Sequence, residues 1–394
     1  MHLTREEERM LAGEYGYALK KSMEILVALG EIYRAEKMIE IRSAQVSGVS
    51  YKSLGEEGLE FIEELAEDGR VRVETTLNPC GMDLKNWRDH GVPEDFAEKQ
   101  LRVIEAYKKL GIKPTLTCTP YLAGNKPRFG DHIAWSESSA IIYANSVLGA
   151  RTNREGGPSA LAAAIAGRTP YYGLHLDENR IPEIEVNAPR INGSYKHAAL
   201  GFLIGERVGD RIPLIKGLMA SSEDELKALG AALACSGGVA LFHIDGITPE
   251  ARSLEMRAEE RIVIEEGELE EAINKLNDES IDPDLVFIGC PHASIRELII
   301  FMEQLRGRKA KKRTWIYTSR EVKELAERMG VSKKLRECGV EIVADTCPIV
   351  SPIRRMGIRS IATNSAKGAW FSRNLNKLKI RFMPIEKLVE EATR

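Results

Sequence analysis

The sequence lacks the features that mark several large classes of protein. It has no Cys-x-x-Cys pair, which disfavours a zinc ribbon or a thioredoxin-like redox site. No apolar stretch reaches the length of a membrane span without a charge, and no secretory leader is visible. The formal net charge is −3 and basic residues form only local runs, so nothing indicates a nucleic-acid surface. We therefore expect neither a membrane nor a nucleic-acid partner.

Cysteine is also scarce, with six residues in a chain of 394. This number disfavours a disulfide framework and indicates a reducing compartment, so we expect a cytoplasmic protein. The chain is 43% hydrophobic and 29% charged, which is enough for large buried cores and excludes a mainly disordered chain. The length corresponds to two or three domains of roughly 150 residues each.

Three cysteines each end a short predicted strand and precede a proline by one or two residues. They are Cys118, after a predicted strand over 113–117, Cys290, after one over 285–289, and Cys347, after one over 341–345. In open α/β sheets, ligands bind beyond the carboxyl ends of strands. Free cysteine is among the most buried residue types, so a structural role is the alternative for each one taken alone. Packing does not account for three cysteines in the same context.

Thiolates from three separate strand ends could converge on one inorganic centre. The intervals of 171 and 56 residues are unlike the closely spaced ligand pairs of structural zinc sites. A [4Fe-4S] cluster normally takes four cysteines, so three would leave one iron open to act as a Lewis acid. Cys80 could close the site as a fourth ligand, but it follows its proline instead of preceding it. A non-catalytic scaffold with a closed zinc site remains the alternative.

Polar residues gather at other predicted element ends. Residues 47–50 form a small-residue turn before a predicted helix over 54–67, and helix N-termini bind anions, although an ordinary βα turn looks the same. Two further groups are Glu137, Ser138 and Ser139 at a predicted helix start, and Lys367 after a predicted strand over 359–363. A surface lysine is the alternative for Lys367. His292 is the one histidine in the strand-end motifs, and a helix-cap role is its alternative.

The remaining patterns predict alternating helices and strands, which favours parallel sheets. Thr4 and Glu7 form a capping box for the first helix. Further strands are predicted over 38–46, 171–176 and 239–245. We predict three α/β domains. They are 1–176, with the anion-binding turn and Cys118; 177–280, in the middle; and 281–394, with Cys290 and Cys347.

Six short motifs together resemble the large subunit of the aconitase X family in its archaeal form. They are Ser47-Gly48-Val49-Ser50, Leu77-Asn78-Pro79-Cys80-Gly81, Thr117-Cys118-Thr119-Pro120, Glu137-Ser138-Ser139, Gly289-Cys290-Pro291-His292 and Asp345-Thr346-Cys347-Pro348. The resemblance covers essentially the whole chain. It implies an aconitase-like α/β fold with several parallel or mixed sheets around a central [4Fe-4S] cluster. Cys118, Cys290 and Cys347 would hold that cluster, and one iron would have no protein ligand.

The resemblance also implies an activity and a partner. The reaction is dehydration of (R)-5-phosphomevalonate to trans-anhydromevalonate 5-phosphate in a modified mevalonate route to isoprenoids. Positions that match the family's substrate contacts are Gly48, Val49, Ser50, Asn78, Pro79, Glu137, Ser138, Ser139 and Lys367. A separate small swivelling subunit would close the site and carry the catalytic base, for which no convincing candidate is visible here. Hydroxyproline dehydration, found in bacterial relatives, is the alternative within the family.

Overall fold

The computed structural model describes residues 1–219, 221–253, 256–278 and 281–394, without the side chain of Ser253. Within these residues, no helix is both long and apolar enough to cross a membrane. The strands form four sheets, and each sheet takes its strands from one of three consecutive stretches of chain. The division into three domains remains our interpretation of this arrangement, and the predicted boundary at residue 280 lies outside the described residues.

The first stretch builds a small parallel sheet and an antiparallel strand pair. Its elements are α1 (Arg5–Ala12), α2 (Tyr17–Ile32), β1 (Met38–Glu40), β2 (Ser43–Val46), α3 (Tyr51–Leu65), β3 (Glu74–Leu77), α4 (Glu94–Lys109), β4 (Ala134–Trp135), α5 (Ser138–Tyr143), α6 (Gly157–Ala166) and β5 (Arg168–Pro170). The parallel sheet has the order β3-β2-β4, and β1 pairs with β5. The capping box is confirmed, because Thr4 and Glu7 exchange side-chain and backbone hydrogen bonds at the start of α1.

Two strand predictions in this stretch are wrong. The predicted strand over 38–46 is two strands, β1 and β2, which belong to different sheets. Between them, the amides of Ile41 and Arg42 donate to the carbonyls of Gly167 and His132 and so take no part in either ladder. Residues 171–176 form no strand, and part of that segment is a 3₁₀ turn. The apolar pattern of these segments resembles that of regular strands. It does not reveal their hydrogen bonds, because partners such as those of the Ile41 and Arg42 amides lie far away in the sequence.

The predicted strand before Cys118 is also wrong, because residues 113–117 are irregular. Leu116 has φ of +49°, which lies outside the β region. A few separate contacts, without a continuous ladder, hold the segment beside β3. The Thr117 amide donates to the Leu77 carbonyl at 2.9 Å, and the Leu77 amide donates to Thr115 Oγ1 at 3.1 Å. Cys118 therefore reaches its position without a regular strand.

The middle stretch forms a four-stranded parallel sheet of order β8-β7-β6-β9. Its elements are β6 (Ile184–Asn187), α7 (Ser194–Val208), β7 (Pro213–Lys216), α8 (Glu223–Ser236), β8 (His243–Ile244), α9 (Pro249–Ser253), β9 (Glu260–Val263) and α10 (Glu266–Lys275). The strand predicted over 239–245 is confined to the two residues of β8. α7 and α8 also reach the next stretch, because Phe202 of α7 and Leu229 of α8 share one apolar core with Phe287.

The third stretch confirms the predicted parallel sheet. Its elements are β10 (Leu285–Ile288), α11 (Ile295–Leu305), β11 (Thr314–Thr318), α12 (Arg320–Arg328), α13 (Val331–Glu337), β12 (Val340–Ala344), β13 (Ser360–Thr363), α14 (Ala366–Asn374), β14 (Lys379–Phe382) and α15 (Ile385–Thr393). The strand order is β12-β11-β10-β13-β14, with every pair parallel. From β10 the chain adds β11 and β12 on one side of the sheet, and it then crosses back to add β13 and β14 on the other side of β10. The crevice between β10 and β13 is therefore the switch point where such sheets bind ligands.

Candidate active site

A cavity of about 170 Å³ opens at this switch point, between the third sheet and the first stretch. Its walls are formed by Asn78, Pro79, Cys118, Glu137, Ser138, Gly289, Cys290, Cys347, Ile349, Val350, Lys367, Phe371 and Leu375. The structure thus brings together eight of the twelve residues predicted for the site. Ser139 lies directly behind this wall, and the turn 48–50 lies farther back.

Two of the three cysteines reach the cavity from the third sheet. Cys290 follows β10 through Gly289, which has φ of +100° and lies so close to β11 that a Cβ would be 2.0 Å from the Tyr317 carbonyl oxygen. Only glycine allows the chain to turn there. Cys347 follows β12 through Asp345, whose φ of +68° is held by contacts with Arg320 and with the Leu84 amide.

Burial sets the acidity of all three thiols. It raises the pKa of Cys118 to about 12, and it raises those of Cys290 and Cys347 in the same direction. Buried apolar surroundings thus favour the protonated thiol, whereas coordination by a cation deprotonates it. Cys80, Cys235 and Cys338 do not line the cavity, and the first two donate their thiol protons to nearby carbonyls, those of Met82 and Ala232.

The three cysteines line the same cavity. Within the described residues, no group of three His, Cys, Asp or Glu side chains is arranged to hold a single metal ion. Thiolates are the usual ligands of iron–sulfur clusters, so the donor type of this wall fits such a group.

A buried ion pair forms the polar side of the cavity. Lys367, in the first turn of α14, contacts Glu137, the N-cap of α5, and also donates to Ser139 Oγ at 3.0 Å. Burial tends to raise the Glu137 pKa, but Lys367 outweighs it and holds the value below its ordinary range, while Glu137 raises the Lys367 pKa. Asn78 Nδ2 donates to Glu137 at 2.9 Å. With 7% of its surface exposed, Lys367 is not the surface lysine of the alternative.

The turn at residues 48–50 does not itself line the cavity. Ser50 Oγ donates to the carbonyl of Val350, a wall residue, at 2.7 Å and caps α3. Val49 and Ser50 are fully buried, yet the amides of residues 48–50 have no hydrogen-bond partner in the part of the chain that the structure describes. Buried unpaired amides are rare, so those of Val49 and Ser50, together with that of the half-buried Gly48, are candidate donors for a ligand.

His292 is more central than its sequence pattern suggested. Ser294, not His292, caps α11, so the helix-cap alternative is wrong. The imidazole is completely buried between the segments that carry Cys118 and Cys347. The sequence signal for this role was a histidine two residues after a strand-end cysteine. The hydrogen-bond partners of the ring, Thr117 and Thr346, were not predictable, because they lie 175 and 54 residues away in the sequence.

Parallel sheets that meet around a cysteine-lined cavity at a switch point define an aconitase-like α/β protein. The chain belongs to the aconitase X family, since models of the first, second and third aconitase X domains match residues 1–178, 182–274 and 283–394.

Individual relatives agree with this assignment. The phosphomevalonate dehydratase large subunit of Methanocaldococcus jannaschii is 50% identical over 99% of this chain and all of that protein. A cis-3-hydroxy-L-proline dehydratase of Pseudomonas aeruginosa is 36% identical over 98% of this chain and 69% of its own length. The crystal structure of aconitase X from Thermococcus kodakaraensis, in its holo form, is 46% identical, covers both chains fully and has a TM-score of 0.94.

Proposed function

We propose that this chain is the large subunit of an iron–sulfur hydro-lyase that dehydrates (R)-5-phosphomevalonate to trans-anhydromevalonate 5-phosphate, a step of a modified mevalonate route to isoprenoids. The convergence of three cysteines and the Glu137–Lys367 pair on one cavity carries this proposal. The relative named as a phosphomevalonate dehydratase matches over its full length at 50% identity. The hydroxyproline dehydratase matches at 36% over part of its length.

The donor set supports a [4Fe-4S] cluster on Cys118, Cys290 and Cys347. Three buried thiols on one cavity provide the ligand type that such a cluster takes, and three ligands leave one of four irons without a protein ligand. When bound, the cluster would supply a Lewis acid that polarises a substrate hydroxyl.

Polar groups beside the thiols are suited to orient the substrate. Lys367 holds Glu137 as a carboxylate, and Ser139 Oγ lies within 3.0 Å of both side chains. Asn78 Oδ1 is buried and lacks a hydrogen-bond partner among the described residues, so it can accept a bond from a substrate hydroxyl. These groups would orient the substrate relative to the thiol wall, and Pro79 and Ser138, which are predicted substrate contacts, also line the cavity.

Charge favours the phosphorylated substrate over hydroxyproline. A pocket for an amino acid needs a carboxylate to face the ammonium. Glu137 is the one carboxylate on the described cavity wall, and Lys367 neutralises it. The unpaired amides of Gly48, Val49 and Ser50, in the turn that contacts the wall residue Val350, are instead the candidate donors for an anion.

The phosphate role of this turn is tested by Ser50→Asp. Aspartate keeps the N-cap acceptor of α3 but cannot donate to the Val350 carbonyl, so we expect a lower melting temperature, while its charge repels a bound phosphate. We expect KM for phosphomevalonate to rise at least tenfold in Ser50→Asp, whereas Ser50→Ala, which loses the same bond to Val350 without adding charge, should raise KM far less. Ser53→Asp is the matched control, because Ser53 lies one turn along on the exposed side and should leave KM unchanged. Equal KM values in both aspartate variants would show that the turn is only structural.

A second chain is part of the proposal, because the described cavity wall offers no free general base. Glu137 is held by Lys367, and His292 is buried behind the cysteines. Leu375, 61% exposed at the rim, together with Phe371, provides apolar surface on which a small swivelling subunit could close the site. Such closure would exclude water and bring the base.

The experiment that tests the function uses the chain reconstituted anaerobically with iron and sulfide. We expect about four irons per chain, and dehydration of phosphomevalonate only after the small subunit is added. Full activity of this chain alone would place the base on its own residues. A zinc-containing protein without sulfide, or equal turnover of hydroxyproline, would contradict the proposed function.

A further inference from the structure

The three cysteine-bearing segments meet at one buried side chain, that of His292. Its Nδ1 atom lies 2.9 Å from Thr117 Oγ1, and its Nε2 atom lies 3.0 Å from the Thr346 carbonyl oxygen. These two partners belong to different stretches of the chain, one in the first and one in the third. The ring therefore joins the two regions that form the cavity.

Each of these contacts is next to a cysteine. The partners of the ring are the residues immediately before Cys118 and Cys347, and His292 itself follows Cys290 by two residues. In addition, the backbone amide of His292 donates to Cys118 Sγ at 3.2 Å. One residue thus restrains all three sulfur-bearing segments.

The protons of this network have one consistent arrangement. A carbonyl oxygen only accepts, so Nε2 carries the hydrogen and donates to Thr346. In the neutral ring, Nδ1 then accepts from Thr117 Oγ1, which in turn accepts from the Thr119 amide at 3.1 Å.

The backbone of His292 is held from the opposite side. Its carbonyl oxygen accepts a hydrogen bond from Lys227 Nζ at 3.1 Å, and Lys227 is itself fixed by the carboxylates of Glu297 and Asp224. Lys227 belongs to α8 of the middle stretch. The residue is therefore restrained at its ring, its amide and its carbonyl by groups from all three stretches.

We propose that His292 is a positioning residue, whose ring sets the relative placement of the Cys118, Cys290 and Cys347 sulfurs and so determines how firmly they hold an inorganic cluster. The inference rests on the proposed function, because it assigns a role toward the proposed cluster. Partners directly behind metal ligands typically account for 10–100-fold in metal affinity. His292 does not line the cavity, so its role does not require contact with substrate.

The test compares cluster retention in His292→Ala, Thr117→Val and wild type after anaerobic reconstitution. Loss of the cluster to a chelator is followed by visible absorbance, and its environment by electron paramagnetic resonance of the reduced protein. We expect roughly 100-fold faster loss for His292→Ala and roughly tenfold for Thr117→Val. Both should also show a changed resonance spectrum, which a loss of general stability would not produce.

Coupling and rescue sharpen the test. Because both substitutions break the His292–Thr117 contact, Thr117→Val should have a smaller effect in the His292→Ala background than in wild type, limited to the lost bond from the Thr119 amide. Thr117→Ser keeps the hydroxyl and should restore the wild-type rate and spectrum. Full additivity of the two substitutions, or failure of serine to rescue, would contradict a role through this contact.

His243→Ala is the matched control. His243 is equally buried and its Nε2 donates to a carbonyl, that of Arg180, at 2.8 Å, but it has no contact with a cysteine segment. We expect lower melting temperature and wild-type cluster retention. If His243→Ala and His292→Ala lose the cluster equally fast, or if His292→Ala keeps it as wild type does, the inference is wrong while the proposed function stands. A wild-type protein that takes up no cluster would overturn both.

Discussion

The third sheet and the first stretch deliver cysteines to the same cavity by different structural means. Cys290 and Cys347 follow strands of one parallel sheet, so the backbone ladder fixes where each chain emerges. Cys118 ends an irregular segment, which hydrogen bonds through Thr115, Thr117 and Gln45 hold beside β3 and β2. The comparison shows that a cysteine position can be fixed by a regular ladder or by a few side chains, and we expect the second kind to be the easier to disturb.

The largest expected effect tests whether the two regions act as one site. Replacing Cys118, Cys290 or Cys347 singly by serine should abolish retention of the cluster, because two remaining thiolates cannot hold it. Iron and acid-labile sulfide are measured after anaerobic reconstitution. Cys80→Ser, Cys235→Ser and Cys338→Ser are the controls, and equal iron loss in both sets would refute the ligand assignment.

A smaller effect concerns the ion pair that crosses between the regions. Lys367→Met leaves the Glu137 carboxylate buried without its cation, which should lower the free energy of unfolding of the metal-free protein by about 3–5 kcal/mol. Adding Glu137→Gln should recover much of this loss. Denaturant unfolding measures both changes.

An exposed ion pair provides the comparison for that experiment. Lys387 and Glu390 form a pair on the surface of α15, with more than half of each side chain exposed. Lys387→Met should cost at most about 1 kcal/mol. Similar losses for both lysine variants would mean that the Glu137–Lys367 pair does not join the two regions.

The smallest effect separates the two means of holding a cysteine. Thr115→Val removes the acceptor of the Leu77 amide and should cost about 1–3 kcal/mol. Local opening at Cys118 should then be about tenfold more frequent, at 1.4 kcal/mol per factor of ten. Mass spectrometry of maleimide labelling in the metal-free protein measures the rate at each thiol.

Thr318→Val is the matched change beside Cys290. Thr318 Oγ1 donates to the Ala293 carbonyl at 2.6 Å, but the parallel ladder between β10 and β11 remains when that bond is lost. Labelling of Cys290 should therefore rise less than labelling of Cys118 does in Thr115→Val. The reverse order would show that the irregular segment is the firmer of the two.

Local sequence patterns predicted the third sheet well and the first stretch poorly. The central strands β10 and β11 are buried on both faces, and the continuous apolar run of β10 is a clear strand signal. Residues 113–117 have β-branched threonines but no such run, and they lie at a sheet edge with Leu116 at positive φ, which no apolar pattern encodes. Residues 38–46 divide between two sheets because partners distant in sequence claim each half.

The sequence by itself determined the site residues as a set of motifs, namely cysteine beside proline at segment ends, small residues in a turn and a polar group at a helix start. Only the tertiary structure decided their pairing. Glu137 meets Lys367 across 230 residues, and His292 bridges Thr117 and Thr346 across 175 and 54. Such contacts depend on how three stretches of chain pack together. A buried charge or imidazole acquires its protonation state and role from the partner that packing supplies.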